Sequence, residues 1–70
     1  MTEPRVAVVG AGAWGTTLAV LVGRVEPVLL LVHDEEAAGR IDGARENERR
    51  LPGVKLPHNV VVTADPARLP

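Results

Sequence analysis

Apolar residues in this 70-residue chain fall into short unbroken blocks separated by glycine, proline and charge. The first block, Arg5 to Val9, ends at Gly10, and the second, "VLLLV", runs from Val28 to Val32. Neither alternates with polar residues. Runs of that length without alternation fit strands buried on both faces better than surface strands. Between them, Leu18, Leu21 and Val22 recur at helical spacing from Trp14 to about Arg24, and Gly23 stands near the point where the pattern stops. The spacing predicts a helix of about three turns with those residues on its apolar face. Glu26 and Pro27 interrupt it before the second block begins. Strand, helix and strand within about thirty residues make a βαβ unit, whose crossover is nearly always right-handed.

The remainder is less regular. Glu35 to Arg50 is strongly charged and contains Gly39 and Gly43, which predicts a frayed or broken helix. In "LPGVKLPHN", Pro52, Gly53 and Pro57 oppose regular structure. Val60 to Thr63 reads as a third strand, and "ADPARLP" as a turn or the start of a helix. A parallel sheet needs helices on both faces. One clear helix and one weak one leave three strands short of cover, so the chain reads as the front of a larger domain.

Composition narrows the functional classes. The formal charge is -1 and the basic residues are spread out, apart from the run Arg45, Arg49 and Arg50. Nucleic acid is therefore not the expected partner. Glu46 and Glu48 lie within that run, which suggests a solvated face without chemistry. There is no cysteine, and His33 and His58 are the only imidazoles, so neither a disulfide nor a metal site is expected to staple the fold. The apolar runs are far shorter than the roughly 18 residues of a membrane span. The start "MTEPRVAVVG" does not follow the basic-then-apolar plan of a signal peptide. These features predict a soluble, cytoplasmic protein.

Chemistry concentrates at "GAGAWG". Gly10, Gly12 and Gly15 form G-x-G-x-x-G between a predicted strand and a predicted helix, the setting of a dinucleotide-binding turn. Gly10 would make the tight turn, Gly12 would let a pyrophosphate approach the backbone, and Gly15 would let helix and strand pack closely. Ala13 and Trp14 would offer N–H groups at the positive end of the helix. The fold class that follows is α/β, an incomplete Rossmann-type βαβ nucleotide-binding unit. The glycine pattern serves NAD, NADP and FAD alike. Asp34, nineteen residues after Gly15, is spaced as the acid that holds the adenosine ribose in NAD proteins. Val32 closes the strand without a carboxylate and His33 follows it, an arrangement that would suit the 2'-phosphate of NADP. Both readings stand, as does a surface role for His33.

The stretch "VAVVGAGAWGTTLA" resembles the opening of the bacterial NAD(P)-dependent glycerol-3-phosphate dehydrogenases, and "RENERRLPGVKLPHNVVVTAD" resembles that family's R-x-N-x-x-Y-L-P-G stretch and the strand after it. Arg45, Asn47, Leu51, Pro52, Gly53, Leu56, Pro57 and Asn59 fall in place. Arg50 replaces the tyrosine, Ala13 replaces a serine, and "GRVEP" lacks a glycine-histidine pair. The resemblance implies binding of NAD(P)(H), with the positions of Ala13, Trp14 and His33 touching it. It also implies reduction of dihydroxyacetone phosphate to glycerol 3-phosphate, a small-molecule phosphate substrate, in phospholipid precursor synthesis. A homodimer is compatible with the parent enzyme. On this reading residues 1–70 are the amino-terminal part of the nucleotide domain, and the substrate domain with its catalytic lysine is not in this chain. Lys55, the only lysine, reads as a surface residue. Two rivals remain: a stand-alone nucleotide-binding module, and a different Rossmann oxidoreductase such as an FAD protein, which would place glutamate where Val32 stands.

Overall fold

Val28 to Leu31 forms the central strand of a three-stranded parallel sheet, as its uninterrupted apolar character requires. The computed structural model describes residues 4–70, so Met1 to Glu3, the start of the segment unlike a signal peptide, lie outside the described residues. The elements run β1 (Val6–Val9), α1 (Ala13–Gly23), β2 (Val28–Leu31), α2 (Glu35–Ala44), β3 (Val60–Thr63) and a short 3-10 turn (Pro66–Arg68). The sheet order is β1-β2-β3, with Val6, Val28 and Val60 in register. The βαβ expectation therefore holds, and extends to βαβαβ.

One core lies between the helices and one face of the sheet. Val28, Leu30, Val32 and Val60 meet Ala19 and Val20 of α1 and Ala37, Ala38 and Ile41 of α2. β1 departs from the burial on both faces that its composition predicts. β1 is an edge strand of only partly buried residues, and Val9 is 70% exposed. Among the described residues it has no neighbour on one side and no covering layer on the other face.

The face that α1 turns inward also differs from the one expected. Leu18 and Leu21 are about half exposed, at 50% and 51%, while Thr16, Ala19, Val20 and Gly23 are buried. The reason is close approach. A Cβ on Gly15 would collide with the Gly10 carbonyl oxygen, and one on Gly23 would stand 2.6 Å from Val60 Cγ2. At that separation only small side chains fit inward along most of the helix, and the leucines turn out.

The helix α2 is neither frayed nor broken, and it ends at Ala44 rather than near Arg50. Asp34 caps it, its Oδ1 accepting the Ala37 N–H at 2.7 Å. Gly39 and Gly43 lie on its exposed side, where the missing side chains disturb no packing. Arg45 ends it with φ +52, a left-handed backbone that costs about 1–2 kcal/mol in a residue with a Cβ. Its guanidinium offsets that cost by donating to Asp42 at 2.8 Å and to the carbonyls of Pro57 and Val60 at 2.7 and 2.9 Å. Arg45 is thus a clasp between α2 and β3, not part of a solvated charge face.

In the loop beyond, Glu46 bridges to Lys55 in an isolated antiparallel pairing. The Gly53 N–H donates to Glu46 Oε2 at 2.9 Å and, with a smaller contribution from Lys55, holds its carboxyl below the usual carboxylate range.

Candidate dinucleotide-binding site

The three glycines do three separate jobs, and the geometry tells them apart. Gly10 carries φ +98 and turns the chain out of β1, while its N–H extends the ladder to Leu31 O at 2.8 Å. Gly15 is set by contact, as the collision with the Gly10 carbonyl shows. Gly12 has an extended φ of -72 and, among the described residues, nothing within 4 Å of where a Cβ would stand. Neither strain nor internal packing calls for a glycine there. The missing side chain leaves the backbone open to an approaching group, which is what a pyrophosphate needs. That open cradle fits a dinucleotide.

The start of α1 completes the cradle. Gly12 caps the helix without a side-chain hydrogen bond, and its carbonyl accepts the Thr16 N–H at 2.9 Å. The N–H groups of Ala13, Trp14 and Gly15 precede the first intrahelical bond and point outward from the helix end. The first turn has no acidic residue, so nothing there competes with an anion for the helix dipole. Trp14 is 82% exposed, at the mouth of the turn rather than in the core.

Asn47 locks the turn in place. It is almost fully buried, and its Nδ2 donates to Ala11 O at 2.7 Å and Thr16 Oγ1 at 2.8 Å. Its own carbonyl accepts the N–H groups of Arg50 and Leu51. One side chain thereby joins the glycine turn, the first helix and the loop after α2. Periodicity and glycine spacing gave no hint of this, although Asn47 stands in the R-x-N stretch.

A cavity of about 220 Å³ opens beside the turn, lined by Ala11, Gly12, His33, Arg40, Asn47, Arg49 and Arg50 among others. Gly12 and His33, far apart in sequence, thus share one wall. Asp34 does not line it. Its Oδ1 caps α2, and its Oδ2 lies 2.9 Å from His33 Nε2. Arg49 and Arg50 face this cavity, while Arg45 does not. Lys55 is 72% exposed, bonded to the Ala44 carbonyl and paired with Glu46, as its surface reading requires.

A parallel βαβαβ sheet with this turn and cavity at the strand ends defines a Rossmann-type nucleotide-binding unit. The family model for the NAD-dependent glycerol-3-phosphate dehydrogenase N-terminus matches residues 5–69, and the chain belongs to that family. It is 48% identical over 64 residues to a glycerol-3-phosphate dehydrogenase [NAD(P)+] of Ruegeria sp., covering 91% of this chain and 20% of that protein. It is 52% identical over 64 residues to the one from Bradyrhizobium sp. strain ORS 278, covering 90% and 19% respectively. Among solved structures, a Plasmodium falciparum glycerol-3-phosphate dehydrogenase superposes with a TM-score of 0.81 at 27% identity, covering 96% of this chain and 22% of that one. The chain spans about one fifth of the length of the curated relatives it matches. Among the described residues no helix is long and apolar enough to cross a membrane.

Proposed function

We propose that this chain is the amino-terminal, cofactor-holding part of a cytoplasmic enzyme that interconverts dihydroxyacetone phosphate and glycerol 3-phosphate, using NAD or NADP. The observation that carries this reading is the open cradle at Gly12, beside a glycine with positive φ and a glycine in contact, in a chain of this family. Gly10 and Gly15 shape the turn, Gly12 admits the pyrophosphate, and the N–H groups of Ala13 and Trp14 bind its oxygens. His33 and Asp34 stand at the adenosine side, with Asp34 orienting the imidazole through the 2.9 Å contact. When bound, the cofactor supplies the hydride chemistry. The chain's own part is to bind and orient it. A phosphate-bearing substrate and a dimer contact belong, on this reading, to the rest of the enzyme. The 70-residue chain alone does not turn over dihydroxyacetone phosphate.

Trp14 fluorescence tests the binding. Titration with NADPH or NADH should shift its intensity or wavelength, and Gly12→Ala should abolish the response without lowering stability. A folded chain whose tryptophan ignores both cofactors at saturation would refute the site. Oxidation of NADPH by the isolated chain, dependent on dihydroxyacetone phosphate, would refute the assignment of catalysis to residues outside it.

A further inference from the structure

A turn that receives an anion must keep its own carbonyl oxygens out of the way. The glycine turn has three of them, on Gly10, Ala11 and Gly12, and each is held by a different means. The Gly10 oxygen lies against Gly15, where a Cβ would collide with it. The Gly12 oxygen accepts the Thr16 N–H at 2.9 Å. Both arrangements follow locally from a strand turning into a helix. The Ala11 oxygen differs, because its partner comes from 36 positions away: it accepts a hydrogen bond from Asn47 Nδ2 at 2.7 Å. The same nitrogen donates to Thr16 Oγ1 at 2.8 Å, which spends both of its hydrogens. A carbonyl only accepts, so the amide must face Ala11 with its nitrogen. Asn47 is almost fully buried, and its backbone carbonyl accepts the N–H groups of Arg50 and Leu51. The amide therefore reaches the turn from a fixed base.

The Ala11–Gly12 peptide needs such a hold. In a planar trans peptide the C=O and the following N–H point to opposite sides, so a half-turn of this unit would exchange them. That rotation reverses the φ of the second residue, which a side chain would forbid and Gly12 permits. The glycine that opens the cradle thus also frees the peptide to present a carbonyl oxygen to it. We propose that Asn47 is a positioning residue for dinucleotide binding: its amide keeps the Ala11 oxygen inward, so that the open side of the turn offers N–H groups to a pyrophosphate. The inference rests on the cofactor-binding reading above. Asn47 acts through the turn rather than by touching the cofactor, and it favours NADH and NADPH equally, since both carry the pyrophosphate.

The test is equilibrium binding of NADH, NADPH and adenosine, which lacks the pyrophosphate, to the full-length protein that carries this chain. Wild type, Asn47→Asp, Asn47→Ala and Thr16→Val would be compared, each checked for folding by its melting curve. Asn47→Asp keeps the size of the side chain but sets an acceptor against the Ala11 oxygen and drives the peptide over. It should weaken NADH and NADPH alike by about tenfold or more, leaving adenosine unchanged. Asn47→Ala should weaken both dinucleotides less. Thr16→Val removes the other acceptor and leaves the Ala11 bond, so it should lower the melting temperature and spare all three ligands. An Asn47→Asp variant that binds the dinucleotides as wild type does, or loses adenosine in the same proportion, overturns the proposal and leaves the binding site standing. So does a Thr16→Val variant that loses the dinucleotides as severely. A measurement on wild type covers the case in which the Asn47 variants do not fold. Because the cofactor selects the clamped turn, saturating NADH should slow solvent exchange of the Asn47 Nδ2 hydrogens, followed by NMR. An unchanged exchange rate overturns the proposal. Failure of wild type to bind either dinucleotide overturns the binding site and this inference together.

Discussion

The two faces of the sheet are built from the same kinds of residue and reach different ends. On the helix side, Val28, Leu30, Val32 and Val60 are sealed under α1 and α2. On the other, Leu29 is buried beside Pro4 and the Ala67–Pro70 segment, but Ala7, Leu31 and Val61 are only partly covered and Val9 stands open. The same contrast divides α1, with Thr16, Ala19, Val20 and Gly23 inward and Trp14, Leu18, Leu21 and Val25 outward. An apolar run in a parallel sheet therefore states that both faces are suited to burial. It does not state what buries them. The glycine turn and the cavity beside it lie at the strand ends on the sealed side.

Side-chain truncation should expose the contrast most strongly. Leu30→Ala should cost about 2–5 kcal/mol in the isolated chain by leaving a cavity in the sealed core, whereas Val9→Ala should cost under about 0.5 kcal/mol as a surface change. Denaturant unfolding of both variants checks this. Equal costs would mean that the two faces do not differ in burial. Next in size is Gly15→Ala, where the new methyl must displace the Gly10 carbonyl or the start of α1, at about 1–3 kcal/mol or more. Gly12→Ala has room and should leave the melting temperature in place. A melting temperature lowered equally in both would show that Gly12 also serves packing.

Asn47→Ala should cost about 1–3 kcal/mol by leaving the Ala11 carbonyl and Thr16 hydroxyl without their buried donor. Hydrogen exchange should rise around the glycine turn more than in β3, and a uniform rise would count against a local clamp. The smallest effect is expected at Glu46, on the surface loop. Its folded pKa lies below its unfolded value, so its contribution is complete above about pH 4.3, the free side chain's value, and fades as pH falls through the lower folded value. Glu46→Gln should therefore be destabilising near neutral pH and converge on wild type in acid. A difference that persists at the lowest pH would assign the effect to packing.

Much of this was legible beforehand, for identifiable reasons. The strands lie close to where unbroken apolar runs placed them, because burial in a parallel sheet imposes that composition. The glycine turn was legible because positive φ at Gly10 and contact at Gly15 are demands that few other residues meet. The intact α2 was not legible from its glycines. Its stability comes from the Asp34 cap and from Ala37, Ala38 and Ile41 meeting β3 and the core, which local helix propensity does not register. Arg45, Arg49 and Arg50 looked like one charge run, yet the left-handed turn at Arg45 sends the first to β3 and the others to the cavity.

By itself the sequence determined the order of strands and helices, the place of the glycine turn and the family to which the chain belongs, because each is written in local spacing and residue type. Only the tertiary structure decided which side of α1 is buried, that Asn47 holds the turn, and that Arg40 stands with His33 in one cavity wall. Those outcomes depend on how closely a helix can approach a sheet and on contacts between residues as much as 36 positions apart, such as Asn47 and Ala11. No local pattern encodes a distance of that kind.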